Sequence, residues 1–258
     1  MDAKNISVKD FTYYLPEEKI ALYPLEDRGS SRLLVYDNAS ISERKFDDIL
    51  DFFLPGDVLV VNKTRVINAR LFFKTPQGAT IEIFCIGPSD SEMTIEKALN
   101  LRGKAEWLCL VGRFSKWKTL EPLQISLGAN GPDITATFSG KVDDLFKITF
   151  EWNPPETTFS EVIEHVGKIP LPPYLKRAID EEDYNRYQTV YGCESGSVAA
   201  PTAGLHFSES LMQKLRNKGV QTSYITLHVG AGTFRPVKAN NMGAVSYTHL
   251  TLPTKRIV

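Results

Sequence analysis

Cysteine is scarce in this chain. Three occur in 258 residues, Cys85, Cys109 and Cys193, and no two of them form a CxxC pair. That spacing argues against a zinc ribbon or a dithiol redox motif and predicts small apolar side chains kept in a reducing compartment. The four histidines show no HExxH or related spacing, so no metal site is expected. No apolar run approaches the roughly 20 residues that span a bilayer, and the first residues lack the charged-then-apolar profile of a secretory signal. A cytoplasmic protein without a membrane partner is expected. Familiar nucleotide and nucleophile motifs are missing too. There is no GxxxxGK[ST] run, and Gly192-Cys193-Glu194-Ser195-Gly196 is not a GxSxG elbow. Gly230-x-Gly232 is only a fragment of a dinucleotide fingerprint: Arg235 stands where the third glycine belongs, and Pro236 blocks the helix that should follow.

Nor does one sign of charge dominate. Thirty Lys and Arg face 31 Asp and Glu, a net of −1, while 42% hydrophobic and 24% charged residues are ordinary for a globular chain. The length suits one large domain or two modest ones. The charge is unevenly spread. Residues 1–70 carry ten basic against twelve acidic side chains, residues 71–167 nine against thirteen, and residues 168–238 nine against six. The last stretch, net +3, allows a polyanionic partner, although a solvated basic face explains it equally well.

The N-terminal part reads as an extended Tyr13–Pro16, a short helix from Glu17 to about Leu22, a strand over Ser31–Tyr36 and an amphipathic helix over Phe46–Phe53. After the Pro55-Gly56-Asp57 turn, the continuous apolar run Val58–Val61 suits a strand buried on both faces. Beyond Arg70, strand-like segments recur at Thr80–Ile86, Trp107–Val111, Leu123–Leu127, Ile134–Phe138 and Leu145–Trp152, broken by Gly, Pro, Asn and Asp. Their spacing predicts a small all-β barrel inserted into another domain. From Phe159 the texture changes back, with a helix near Ser160–Val166. The proline-rich Ile169–Tyr174 fits neither helix nor central strand. A helix capped by Ser208 and stopped by Gly219 follows, then a strand over Val220–Val229.

Two runs carry the chemistry. Gly196-Ser197-Val198-Ala199-Ala200-Pro201-Thr202-Ala203-Gly204-Leu205-His206-Phe207 and Leu227-His228-Val229-Gly230-Ala231-Gly232-Thr233-Phe234-Arg235-Pro236 both join glycine, threonine and one histidine. The first has too few large side chains to pack a core, and glycine permits close backbone approach to a ligand. The two are expected to form two walls of one site. For His206 and His228, a neutral imidazole holding its own loop together competes with a catalytic role. His165 lies in a helical pattern and reads as structural. Asn62-Lys63-Thr64-Arg65, at the end of an apolar strand, places polar groups where α/β sites gather them, or simply caps a turn. Arg28-Gly29-Ser30-Ser31-Arg32 suits an anion or a charged surface turn. Tyr184, Tyr187 and Tyr191 share one face of a helix, either as a stacking platform or as core.

Several ordered motifs then stand together. They are Tyr14-Leu15-Pro16, Ile20-Ala21-x-x-Pro24, Arg28-x-x-Ser31-Arg32-Leu33-Leu34-Val35, Pro55-Gly56-Asp57, Asn62-x-Thr64-Arg65-Val66-Ile67-x-Ala69-Arg70, Ile169–Tyr174, Tyr187-Gln188-Thr189-Val190-Tyr191 and the two histidine runs. Through them the chain, from about Phe11 to Lys238, resembles the S-adenosylmethionine:tRNA ribosyltransferase-isomerase family of queuosine biosynthesis. The resemblance implies an α+β fold: a main mixed α/β-barrel domain over residues 1–70 and 156–242, interrupted by a smaller all-β barrel over 71–155. It also implies a reaction. The ribosyl part of S-adenosylmethionine moves onto 7-aminomethyl-7-deazaguanine at the tRNA wobble position and rearranges to epoxyqueuosine, releasing adenine and methionine. S-adenosylmethionine is then a consumed substrate, with no other cofactor, tRNA is the partner, and a monomer is expected. Such chemistry needs a base at C5′ and a proton donor near the adenine. His206 and His228 are the candidates, in either order. Gly204, Gly230 and Gly232 would admit ribose and adenine, and Thr202 and Thr233 would fix the ribose. Arg235, Arg65 or Arg32 would hold a carboxylate or phosphate, and Tyr187 or Phe207 would face the sulfonium. Asn62 and Thr64 complete the substrate-binding set.

The chain departs from the family pattern in three places. Asn68 replaces a common proline, and Val111–Lys118 replaces a Lys-Pro-Gly-Lys-type turn, which suggests a divergent branch. After Val237-Lys238 the family's His-x-Met-His-x-Glu-type segment does not follow. Residues 243–258 read as a non-native tail, so His249 is set aside and a chain without the family's remaining part is expected to be incomplete at its site. The competing functions are a transferase using S-adenosylmethionine on another acceptor and a non-catalytic β-barrel RNA-binding protein. The histidine-bearing loops speak against the latter, because stacking and basic grooves need neither.

Overall fold

The computed structural model of the protein describes residues 6–128, 131–234 and 239–241. Alternating apolar residues from Arg70 onward build one six-stranded antiparallel sheet. It comprises β5 (Arg70–Lys74), β6 (Thr80–Pro88), β7 (Lys104–Gly112), β8 (Leu123–Ile125), β9 (Asp133–Val142) and β10 (Leu145–Asn153), in the order β5-β6-β7-β10-β9-β8. Its two edge strands, β5 and β8, approach one another, so the sheet curls into a nearly closed barrel. Inward positions repeat at period two, as a pleated strand requires. Leu71 and Phe73 lie opposite Ile83 and Ile81, and Trp107 lies opposite Ile148, all fully buried. Cys85 and Cys109 face each other across β6 and β7 as free, buried thiols, whereas Cys193 is exposed. Burial pushes the Cys109 thiol well up, as expected of an inert core cysteine.

A helix closes one end of this barrel. Helix α2 (Phe159–Val166) starts at a reciprocal cap: the Glu161 N–H donates to Thr158 Oγ1 (3.3 Å) and the Thr158 N–H to Glu161 Oε2 (2.7 Å). The cap aims Phe159 inward, where its ring lies 5.1, 5.4 and 5.5 Å from those of Trp107, Phe150 and Trp152. Helix α1 (Ile95–Leu99), between β6 and β7, was not expected. It is a single capped turn, too short for a helical period to show.

The remaining strands form three pairs among the described residues. β1 (Arg32–Asp37) and β2 (Ser40–Lys45) make an antiparallel hairpin. β3 (Val58–Asn62) pairs in parallel with β12 (Gln221–Ile225), and β4 (Thr64–Val66) in parallel with β11 (Glu194–Ser197). The β1 and β10 expectations hold within two residues, but β3 is not buried on both faces. Val61 is buried, whereas Val58 and Val60 are about half exposed, because β12 is its one strand partner among the described residues. An apolar run reports hydrophobicity, not the number of faces covered. The strand expected over Val220–Val229 ends at Ile225, and the helix expected from Glu17 is one 3₁₀ turn, Glu17–Lys19.

Helix α4 (Glu209–Asn217) is capped as the sequence implies, with the Leu211 N–H donating to Ser208 Oγ (3.1 Å). Its Leu211, Met212 and Leu215 stripe packs on Phe46 and Phe207, under a 3₁₀ helix at Phe46–Phe52. The tyrosine stripe does not exist as a platform. Helix α3 spans only Asp183–Arg186, and Tyr184 and Tyr187 join one apolar cluster while Tyr191 joins another. Among the described residues no helix is long and apolar enough to cross a membrane.

The N-terminal segment has little core of its own and is held by arginines. Arg177 donates Nη1 and Nη2 to the two carboxylate oxygens of Asp183 (2.6 Å each) and Nε to the Leu22 carbonyl (2.7 Å), with its guanidinium over the Tyr23 ring. Both charged side chains are nearly inaccessible. Removing one partner of such a pair costs about 3–5 kcal/mol, here at the low end because Arg177 keeps Asp180 at 3.7 Å. Asp183→Ala is therefore expected to lower the unfolding free energy by about that amount, measured by urea denaturation; a loss under ~1 kcal/mol would place the pair effectively in solvent. Arg177 holds the Asp183 carboxyl below its ordinary value. The stabilisation is thus complete above roughly pH 4 and is lost as pH falls through the lowered folded-state value.

Candidate active site

The first histidine run is more buried than its composition suggests. Gly196, Ser197, Val198, Ala199 and Ala200 are all buried, with Val198 in the barrel core cluster and Ala200 in the cluster around Ile169 and Tyr187. Small side chains pack here because the backbone itself is the filling: β11 lies against β4 and leaves no room for larger groups. Gly196 shows this directly. A Cβ there would come within 2.5 Å of both His228 Cε1 and Ile95 Cγ2.

The two runs meet, as expected. The Val198 N–H donates to the Val229 carbonyl (3.0 Å), and the Val229 N–H donates to Ser197 Oγ (2.8 Å). Asn62 ties the second run to the β3–β4 turn: Nδ2 donates to the Leu227 carbonyl (2.8 Å), and Oδ1 accepts from the N–H groups of Leu227 (3.0 Å) and Thr64 (3.2 Å). Thr64, almost fully buried, places Oγ1 at 2.7 Å from Ser197 Oγ and 2.9 Å from His228 Nδ1. Burial lowers the His228 pKa below its usual value, against an opposing pull from Glu96 and Glu194. The imidazole is neutral at pH 7.

His206 occupies a different setting. It ends a 3₁₀ turn over Thr202–His206, and its ring lies 5.1 Å from that of Phe46. Burial, and secondarily the positive charge of Arg28, keep it below the ordinary imidazole value. Arg28 is the cation that sequence reasoning underrated. Its Nη1 donates to the Leu205 carbonyl (2.8 Å) and its Nη2 to the Asn185 carbonyl (2.9 Å), which fixes the turn that presents His206. Arg32 is not brought here; it pairs with Glu43 across the exposed β1–β2 hairpin (3.5 Å).

The other candidates divide in the same way. Thr202 is exposed at the start of the 3₁₀ turn, and Gly230 and Gly232 are exposed, with no atom of the described residues within 4 Å of where a side chain would be. Gly204 is buried, and a Cβ on it would meet the Tyr191 hydroxyl at 2.4 Å; a side chain, not a ligand, uses that space. Tyr187 is buried, and burial pushes its hydroxyl up to about 12. Phe207 is buried against Phe46 (5.1 Å). Arg65 is exposed on the rim of a polar cleft of about 290 Å³ with Asn68, Glu164, Asn185 and Ser195. The Thr233 side chain, Arg235, His249 and residues 243–258 lie outside the described residues.

A larger cleft of about 810 Å³, lined by Lys63, Tyr191, Cys193, Glu209, Arg216 and Tyr224, includes neither histidine. Its Lys63 is already paired with Glu194 (3.1 Å). The hydrogen-bonded His228 and this cleft are thus separate features of the structure. Gly196→Ala is expected to displace the His228 ring while leaving the barrel intact. The measurement is the His228 ring signals in a histidine-labelled NMR spectrum beside a thermal melt; unchanged His228 shifts would show that the contact yields freely.

Comparison with known proteins shows the family. Residues 8–249 match the family described as queuosine biosynthesis protein. The chain is 42% identical over 239 residues to the S-adenosylmethionine:tRNA ribosyltransferase-isomerase of Aromatoleum aromaticum, covering 93% of this chain and 63% of that protein. It is 39% identical over 237 residues to the enzyme of the same name from Trichlorobacter lovleyi, covering 91% and 64%. A crystal structure of S-adenosylmethionine tRNA ribosyltransferase from Thermotoga maritima is 29% identical, covers 85% of this chain and 58% of its own, and superposes with a TM-score of 0.31. The chain spans less than two thirds of the length of each of these relatives. It belongs to the queuosine biosynthesis protein family.

Proposed function

We propose that this chain carries the ribosyl-transfer site of an S-adenosylmethionine:tRNA ribosyltransferase-isomerase. In this reading S-adenosylmethionine is consumed, with no other cofactor. Its ribosyl part moves onto 7-aminomethyl-7-deazaguanine in tRNA, leaving epoxyqueuosine, adenine and methionine, in the cytoplasm and with the protein acting as a monomer. The observation that carries the reading is the seam between the two histidine runs. A neutral His228 is locked there against Thr64 and Ser197, beside exposed Gly230 and Gly232 backbone that a ligand can approach.

The chemistry suits these groups. The sulfonium acidifies the C5′ protons, so one neutral imidazole serves as base, while adenine departs more readily beside a hydrogen-bond donor. Thr202, exposed at the head of the His206 turn, is available to a ribose hydroxyl, and Arg65, exposed on its polar cleft, to a tRNA phosphate. Thr64, Asn62 and Tyr187 serve the site from beneath, as buried or hydrogen-bonded supports.

The test is adenine release together with a mass gain on tRNA bearing the aminomethyl-deazaguanine, in the presence of S-adenosylmethionine. It is run on this chain and on the chain extended by the part of the Aromatoleum aromaticum relative that it does not cover. Both products support the proposal. Adenine without a tRNA mass gain favours another acceptor, and neither product from the folded, extended protein favours an RNA-binding role. His206→Ala and His228→Ala are each expected to slow adenine release about 10²–10⁴-fold. With both imidazoles held below their ordinary value, the rate is expected to stay level from pH 8 down to about 6.5 and to fall only below that.

A further inference from the structure

We infer that Thr64 and Ser197 act as positioning residues that fix His228 in the tautomer with its proton on Nε2, so that this imidazole serves the site as a hydrogen-bond donor and not as the base. The inference rests on the proposed ribosyl transfer for its chemical meaning, but the tautomer itself is independent of it.

The direction of each proton follows from what its neighbours can accept. Ser197 is fully inaccessible, and its Oγ already accepts from the Val229 N–H at 2.8 Å. A buried hydroxyl proton must find an acceptor. Among the described residues the one beside it is Thr64 Oγ1, at 2.7 Å. Thr64 Oγ1 therefore accepts from Ser197 and has its own single proton left to give. Two acceptors compete for it, His228 Nδ1 at 2.9 Å and the Glu194 carbonyl at 3.5 Å. The first lies at ordinary hydrogen-bond length and the second at the outer limit. The chain of donors thus runs from the Val229 N–H to Ser197, to Thr64, to Nδ1.

A neutral imidazole that accepts at Nδ1 carries its proton on Nε2. Burial keeps the ring neutral, which removes the alternative of an imidazolium donating at both nitrogens. Such a ring cannot take a proton at Nε2, and its Nδ1 lone pair is engaged. It can polarise a departing group as a neutral donor, a role imidazole fills elsewhere when its pKa is depressed. The base is then left to His206, for which no side-chain hydrogen bond claims either nitrogen among the described residues. Gly196 completes the arrangement, since any side chain there would push His228 off Thr64.

The experiment is a long-range ¹⁵N–¹H NMR spectrum of the histidine-labelled full chain at pH 7.5, with the His228 signals assigned by their loss in His228→Gln. The expected result is an Nε2-protonated ring with Nδ1 at the shift of an unprotonated, hydrogen-bonded nitrogen. Thr64→Ser, which keeps the hydroxyl, is expected to preserve that pattern. Thr64→Val and Ser197→Ala, checked for folding by thermal melt, are expected to raise the Nδ1-protonated fraction about tenfold, the weight of one lost hydrogen bond. An Nδ1-protonated ring in the unaltered protein overturns the inference without any variant having to fold. So does a Thr64→Val spectrum indistinguishable from the original in a folded protein. If the tautomer is as stated but adenine is never released, the ribosyl-transfer reading fails and the positioning role stands.

Discussion

A single hydroxyl pair, Thr64 Oγ1 and Ser197 Oγ at 2.7 Å, sits where three segments of the chain converge: β4, β11 and the second histidine run. β4 and β11 are short, three and four residues, and a parallel pair of that length has few ladder bonds with which to set its own register. The hydroxyl bridge supplies a buried polar lock instead. Through Ser197 Oγ it reaches the backbone of the second histidine run, and through Thr64 Oγ1 it reaches the His228 ring. An unsatisfied partner in such a dry place costs about 1–3 kcal/mol, so each member holds the others.

The barrel turns this lock into a rigid site. Val198 of the first run and Ala231 of the second both belong to the barrel's core cluster, as does Ile67 just beyond β4. The loops that present His228 are therefore extensions of a close-packed core and not free surface segments. Phe159, fully buried against Trp107, Phe150 and Trp152, seals the barrel end. The His206 turn is anchored differently, by Arg28 and by the aromatic contacts of Phe46 and Phe207 beside α4. The two imidazoles thus stand on separate packing units, one fixed to the barrel core and one hung on backbone carbonyls.

The sequence was most informative where local chemistry decides local structure. The strands of the barrel, the Ser208 cap and the meeting of the two histidine runs follow from alternation, cap residues and turn composition. Burial was harder to read. The Gly196–Ala200 run contains no large side chain, yet it is core, because backbone packed against β4 fills space as side chains do elsewhere. Val58–Val61 shows the opposite error: four apolar residues in a row, two of them half exposed. Among the cations, Arg28 and Arg32 are equivalent in a motif, and only tertiary contact shows that one grips the His206 turn while the other pairs across a hairpin. Ser197 lay inside the motif but carried no signal of its own, since a serine between glycine and valine reads equally as turn or as linker.

The proposed substrate is a sulfonium cation, and the charge state of the two imidazoles bears on it directly. A sulfonium approaching an imidazolium would meet like charge in a partly dehydrated site, where repulsion is poorly screened. Burial removes that obstacle at both His206 and His228 by favouring the neutral ring. Arg28, whose charge acts on His206, has both of its terminal nitrogens committed to backbone carbonyls, which orients that charge along the turn. Around His228 the charges that act on the ring among the described residues are instead acidic, Glu96 and Glu194, the latter already paired with Lys63 (3.1 Å). These carboxylates pull the His228 pKa upward, and burial prevails over that pull. The ring therefore stays neutral beside these carboxylates, and this balance depends on keeping it buried against Thr64.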